Sequence, residues 1–183
     1  MGVRNYLIEG GSGVGKTSVA EELQRRGHHV IHGDRGFAYY GDPETGAPVN
    51  ARPYPTEAEN VQWGYEHWIW PVDQVRSLVA DQNREMTFFC GHSANFQHFI
   101  GLFDKVFVLT LDPETLNQRL LRRPEDEFGG KPLERAWVMR LHATHAGLPA
   151  NAVSIQSGAP IAAVADAVLS HCTGLNNQRP PRL

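Results

Sequence analysis

The residues best suited to chemistry lie in one stretch near the N-terminus, Gly10-Gly11-Ser12-Gly13-Val14-Gly15-Lys16-Thr17. They meet the pattern G-x-x-x-x-G-K-[ST] at each fixed position. Glycines allow backbone angles and close approach that a side chain would block. Backbone N–H groups can then wrap phosphate oxygens, and a following helix points its positive end at them. Lys16 would set its ammonium at the β- and γ-phosphates, and the Thr17 hydroxyl is a small oxygen ligand for Mg²⁺. The expected nucleotide-binding set is Gly11, Ser12, Gly13, Val14, Gly15, Lys16, Thr17 and Ser18, with ATP and Mg²⁺ as ligands. The dinucleotide fingerprint G-x-G-x-x-G competes and fails, because counting from Gly11 puts Lys16 at its third glycine.

The elements around this stretch must position it. Tyr6-Leu7-Ile8 before it is a short apolar run that reads as a buried strand, and Ser18 to Arg26 after it reads as a helix stopped by Gly27. His28 to Asp34 reads as a second strand ending in a carboxylate. Strand, helix and strand at this spacing imply a parallel pair with a right-handed crossover. Ligands of open α/β sheets bind at the carboxyl ends of the strands. Asp34 therefore belongs near the glycine loop, where it would activate an acceptor hydroxyl or hold Mg²⁺ through water.

Further along, Met86-Thr87-Phe88-Phe89-Cys90 reads as a central strand, ending in Gly91-His92-Ser93, with a helix expected over 94–102. Lys105 to Leu111 reads as a fourth strand. Asp112-Pro113-Glu114 opens a helix, with Asp as N-cap and Pro in the first turn, that Pro124 stops. Arg119, Arg122 and Arg123 at i, i+3 and i+4 share a helix face just before the polar segment Glu125 to Lys131, whose Gly129 and Gly130 mark it as a lid. A helix over 133–146, a fifth strand over 152–155 and a last helix over 161–171 complete the order.

Between Asp34 and the third strand lies a turn-rich insert, followed by a helix expected over 57–80 with an interruption at Pro71. This region holds Phe37, Tyr39, Tyr40, Tyr54, Trp63, Tyr65, Trp68 and Trp70. Two roles are open to these rings: packing the insert against the sheet, or flooring a pocket for a flat or sugar-like compound.

Composition narrows the function classes. The 183 residues are enough for about one domain. With 17 basic and 20 acidic residues the net charge is −3, and no basic stripe marks a nucleic-acid surface. That argues against a polynucleotide kinase. No apolar run reaches a membrane span, and the N-terminus carries no signal-peptide pattern. Cys90 and Cys172 read as reduced thiols, so a cytoplasmic setting is expected. His142 and His145 are spaced for one helix face without a third ligand nearby. Gly91-His92-Ser93-Ala94-Asn95 departs from the G-x-S-x-G elbow of serine hydrolases at its last glycine. The third strand ends in no carboxylate, which argues against motor, transport and GTPase branches.

On GGSGVGKT at 10–17, the strand ending in Asp34, TFFCGHS on the third strand, LDPETLNQRLLRRP within 109–124, and SGAP at 157–160, the chain resembles P-loop kinases of the shikimate kinase, gluconate kinase and nucleoside/nucleotide kinase group. The resemblance implies an α/β fold in three layers, with a five-stranded parallel sheet between helices. It implies one P-loop kinase domain over 1–175, an acceptor-binding insert over 36–82, a lid over 123–133 and a flexible tail over 176–183. It implies that Asp34, Arg35 and Gly91 line the acceptor site beside His92, that Arg119 lies near the adenine and Arg123 near the transferring phosphate, and that Arg140 reaches either ligand. Lys16, Asp34 and Arg123 are the expected catalytic residues. Two departures bear on the acceptor: His32 stands where shikimate kinases have a second Asp, and His92 and Ser93 replace two glycines of their triplet. The expected partner is a small-molecule hydroxyl acceptor, such as a nucleoside, sugar or antibiotic, and the protein is expected to be a monomer or homodimer. The alternatives are a nucleotide-binding regulatory module without a small acceptor, and a nucleoside monophosphate kinase.

Overall fold

In the computed structural model the described residues are 4–50 and 55–172. The expected tail over 176–183, and Arg52 and Tyr54 of the insert, lie outside them. Five strands form one parallel sheet: β1 (Arg4–Glu9), β2 (His29–His32), and three later strands over Met86–Cys90, Lys105–Thr110 and Val153–Gln156. Counting in chain order the short pair β3 (Tyr39–Tyr40) and β4 (Trp68–Ile69), these are β5, β6 and β7, and the sheet order is β2-β5-β1-β6-β7. The expected five-stranded parallel sheet is what the chain builds.

Strand alternation sets the layers. Tyr6 and Ile8 of β1 and Phe88 of β5 face one side, where they join Phe107, Leu116, Val164 and Val168. Leu7 and Phe89 face the other side, against Trp70, Val75, Phe99 and Phe103. The first side is covered by α1 (Lys16–Arg25) together with helices over Pro113–Leu121 and Ile161–Ser170. The second is covered by a helix over Val72–Ala80 and the segment after β5.

Two expected helices are different in the structure. The one expected over 57–80 is split into α3 (Glu57–Glu66) and α4 (Val72–Ala80), following the short turn α2 (Gly33–Gly36). The break comes before Pro71, because Trp68 and Ile69 leave the helix to pair antiparallel with Tyr40 and Tyr39. A capping box starts α3: the Thr56 hydroxyl accepts from Glu59 N at 3.2 Å, and the Glu59 carboxylate accepts from Thr56 N at 3.1 Å. The helix expected over 94–102 is instead two 3₁₀ turns, Phe96–His98 and Ile100–Leu102. Asn95 explains this. Its side chain clamps Trp70, accepting from Trp70 N at 3.1 Å and donating to Trp70 O at 3.0 Å. A side chain committed to a distant backbone in this way favours a turn over a continuing helix.

The helix before the lid is α5 (Pro113–Leu121), with Asp112 as N-cap accepting from Thr115 N at 2.8 Å. It ends sooner than expected, so Arg122 and Arg123 lie beyond it. Two further helices follow, α6 (Pro132–Thr144) and α7 (Ile161–Ser170).

Candidate active site

The carboxyl ends of β1, β2 and β5 open onto one cleft of about 810 Å³. One end is lined by Gly10 to Gly13 and Gly15 to Ser18, with Arg119, Arg123, Glu127 and Phe128. The other is lined by Asp34, Arg35, Tyr40, Tyr65, Trp68 and His92, with Glu57 and Asn60 of α3.

The glycine loop is held from below. Val14 is buried, and its carbonyl accepts from Arg119 Nη1 at 3.2 Å. Gly13 has φ +83, and a Cβ there would stand 2.9 Å from Leu120 and 3.0 Å from Leu116. The loop can lie this close to α5 only as glycine. Lys16 Nζ bonds to the Gly10 and Gly11 carbonyls, at 2.5 and 3.1 Å, and so bends back over its own loop. Arg119 also donates from Nη2 to Ser157 O at 3.2 Å, which ties the loop to the SGAP segment.

Of the three arginines grouped by spacing, Arg119 and Arg123 line the cleft, whereas Arg122 is exposed and points elsewhere. Arg123 donates from Nη1 to Ser12 Oγ at 3.2 Å and pairs through Nη2 with Glu127 at 2.9 Å. Its Nε is buried without a hydrogen-bond partner among the described residues. The segment expected as a lid rests on the loop, with Ser12 Oγ donating to Phe128 O at 2.9 Å. Arg140 is an exposed residue of α6 lying 4.1 Å over the Trp137 ring, and it does not line the cleft.

At the other end, Asp34 sits in α2, just past β2. Its Oδ1 accepts from His92 N at 3.0 Å and from Trp68 Nε1 at 3.3 Å, and its Oδ2 accepts from His92 N at 3.2 Å. Gly91 makes this approach possible. It has φ +155, and a Cβ there would stand 2.6 Å from Trp70 and 2.7 Å from Asp34 Oδ1. The insert's rings divide between the two open roles. Trp70 and Phe37 pack edge to face against the sheet, centroids 5.3 Å apart, while Tyr40, Tyr65 and Trp68 line the cleft. Cys90 beneath is buried, and burial pushes its thiol up, away from reactivity.

Sequence reading missed Glu9. It ends β1, is 1 % exposed, and accepts from Gly10 N at 3.0 Å and from His92 Nδ1 at 2.9 Å. Parallel pairing of Ile8 with Cys90 brings the two strand ends side by side. Tyr65 stacks on the His92 ring, centroids 4.4 Å apart, and burial together with the Glu9 charge pushes its phenol up. His92 Nε2 is buried without a partner among the described residues, a condition that costs about 1–3 kcal/mol for an ordinary polar group. The available signal was a carboxylate directly after the apolar run Tyr6-Leu7-Ile8 of a central strand.

His142 Nε2 meets Leu111 O at 2.8 Å, and no group of three or more His, Cys, Asp or Glu suited to a metal ion stands among the described residues. Among the described residues, no helix is long and apolar enough to cross a membrane.

A parallel sheet in this order, with its glycine loop between β1 and α1, is the P-loop α/β architecture of small-molecule kinases. The chain belongs to the AAA domain family, whose pattern matches residues 7–136. No curated protein matches it. Among solved structures it is similar to a shikimate kinase from Bacteroides thetaiotaomicron, with TM-score 0.55 and 14 % identity over 92 % of this chain and 98 % of that one. It is similar to a sugar kinase from Janibacter sp. HTCC2649, with TM-score 0.53 and 16 % identity over 92 % and 93 %. It is also similar to a gluconokinase from Sinorhizobium meliloti 1021, with TM-score 0.50 and 18 % identity over 91 % and 90 %. At these identities the likeness speaks for the fold.

Proposed function

We propose that the protein is an ATP-dependent phosphotransferase that moves the γ-phosphate to a hydroxyl of a small molecule, of the nucleoside, sugar or antibiotic-like kind. One observation carries this reading: a single cleft has a glycine phosphate cradle at one end and a carboxylate, an imidazole and three aromatic rings at the other. Phosphoryl transfer asks for positioning and charge neutralisation, with attacking and leaving oxygens in line. An elongated cleft lined in this way supplies both.

Lys16 would leave its two loop carbonyls for the β- and γ-phosphates. Arg123, whose Nε is buried and unpartnered among the described residues, would neutralise the transferring group. Arg119, held between Val14 and Ser157, would border the adenine, with Ser157 to Pro160 alongside. Thr17 and Asp34 line one small recess beside Lys16. An alcohol and a carboxylate suit Mg²⁺, which binds one or two protein oxygens together with substrate phosphates. When bound, Mg²⁺ would neutralise charge building on the phosphate oxygens. Asp34, Arg35, Gly91 and His92 would hold the acceptor, against Tyr40 and Trp68. Segment 123–133 would act as the lid, and the region over 36–82 as the acceptor insert. Among the described residues of the insert no Lys or Arg lines the cleft, and Arg35, next to Asp34 in the chain, lies just before it, which favours a neutral acceptor over a nucleoside monophosphate.

The test is ADP release from Mg·ATP across a panel of nucleosides, nucleotides, sugars and aminoglycosides. Turnover stimulated by a neutral hydroxyl compound is expected. ATP binding with slow hydrolysis that no panel compound stimulates would replace this reading with that of a regulatory module. Preference for a nucleotide would make the protein a monophosphate kinase.

A further inference from the structure

Phosphoryl transfer of this kind does not by itself account for the pairing of Glu9 with His92, buried between the two halves of the cleft. A carboxylate can only accept, so the 2.9 Å contact with Glu9 Oε1 puts the hydrogen of His92 on Nδ1 and leaves a lone pair on Nε2. That nitrogen has no partner among the described residues, while His92 itself lines the cleft. Asp34, the expected activator of the hydroxyl, already accepts from His92 N and Trp68 Nε1. Resting on the phosphotransferase reading above, we propose that His92 Nε2 is the proton acceptor for the substrate hydroxyl and that Glu9 is the positioning residue that fixes its tautomer.

The step balances. The acceptor O–H bond breaks and its proton passes to Nε2. The freed oxygen forms a bond to the γ-phosphorus as the bond from that phosphorus to the ADP oxygen breaks. The resulting imidazolium lies beside the Glu9 carboxylate and returns its proton to solvent as products leave. The groups facing His92 are Glu9 from the end of β1, Asp34 from α2 at the backbone, and Tyr65 stacked from α3. Tyr65 stays a neutral phenol, since burial and the Glu9 charge both push it up. The Glu9 charge is thus the main partner available to an imidazolium here.

Two measurements test this. In the first, ¹⁵N NMR of the free protein, with His92→Asn identifying the signals, reads the tautomer. Hydrogen on Nδ1 is expected, and hydrogen on Nε2 overturns the proposal. In the second, kcat and kcat/KM are measured with Mg·ATP and the panel compound of highest turnover. His92→Asn is expected to lower kcat about 10²-fold or more, the usual range for a general base. Its affinity for a fluorescent ATP analogue should stay within about twofold of the parent, by the same argument that a base acts on the acceptor and not on the nucleotide. Glu9→Gln offers the ring an amide that can donate as well as accept, so part of the hydrogen is expected to move to Nε2 in the ¹⁵N spectrum and kcat is expected to fall with it. A scaffolding role would lower the rate without moving the tautomer. Retained kcat in His92→Asn, or an unmoved tautomer in Glu9→Gln, overturns the assignment while leaving the kinase reading standing. Absence of acceptor-stimulated turnover in the parent protein defeats the kinase reading, and this assignment with it.

Discussion

The two ends of the cleft are built from different materials. The glycine-loop end is backbone: glycines, carbonyls and amide hydrogens, with Lys16 and Arg119 folded onto the loop's own carbonyls. The other end, proposed for the acceptor, is side chain: Asp34 under Trp68 and the His92 amide, Tyr65 against His92, and Trp70 clamped by Asn95. Backbone sites need particular residue types in consecutive positions, so they leave a pattern in the sequence. Side-chain sites gather residues far apart in the chain, and only folding brings them together. The first kind of site should therefore lose activity and keep its stability on substitution, and the second should lose both.

The sharpest test of that contrast is Lys16→Ala. Its ammonium holds only loop carbonyls in the free protein, so the urea midpoint should hardly change, whereas turnover should fall about 10³-fold or more for loss of a phosphate-stabilising cation. A variant of full activity would end the division. The counterpart is Trp70→Ala. Trp70 is 1 % exposed, stacks on Phe99 at 5.7 Å and backs both Gly33 and Gly91. Urea unfolding should register a loss of about 3–5 kcal/mol. The surviving folded protein should bind the fluorescent ATP analogue nearly as before, because no phosphate-loop residue rests on that ring.

Smaller changes refine the picture. Thr56→Ala removes the capping box of α3, a helix with no buried residue, and should cost about 1 kcal/mol in the same unfolding experiment. Much of the loss should appear as faster hydrogen exchange confined to α3. Near the end of α1 away from the glycine loop, hydrogen bonds from Arg25 and then Arg26 draw Glu22 from its ordinary 4.5 down to about 2. A carboxylate depressed on folding adds stability that is present above its unfolded value and lost as pH falls through the folded one. The urea midpoint should therefore decline between about pH 4.5 and pH 2, and Glu22→Gln should flatten part of that decline. An unchanged acid limb would mean that the two arginines are held by solvent as well as by Glu22.

Legibility in the sequence followed the same divide. The glycine loop, its strand and helix, the order of sheet strands along the chain and the Asp112 cap could be read directly, since each rests on a local pattern of residue types. The β3–β4 pair could not, because two-residue strands carry no periodicity and Trp68-Ile69 continues a helical-looking run. The helix expected over 94–102 was overridden by the long-range clamp of Asn95 on Trp70. Glu9 and His92 are 83 positions apart, and neither belongs to a motif that names the other. Sequence spacing grouped Arg119, Arg122 and Arg123, but the early end of α5 separates the exposed Arg122 from the two that line the cleft.

The five strands of the parallel sheet run the same way, so the glycine loop, Asp34 and His92 all follow strand ends on one rim. On the opposite rim Gln82, Asn83 and Arg84 form an exposed connection into β5, and none of the three lines the cleft. A fluorophore, affinity handle or surface tether fixed there would hold the molecule with its reacting side outward, ready for single-molecule observation.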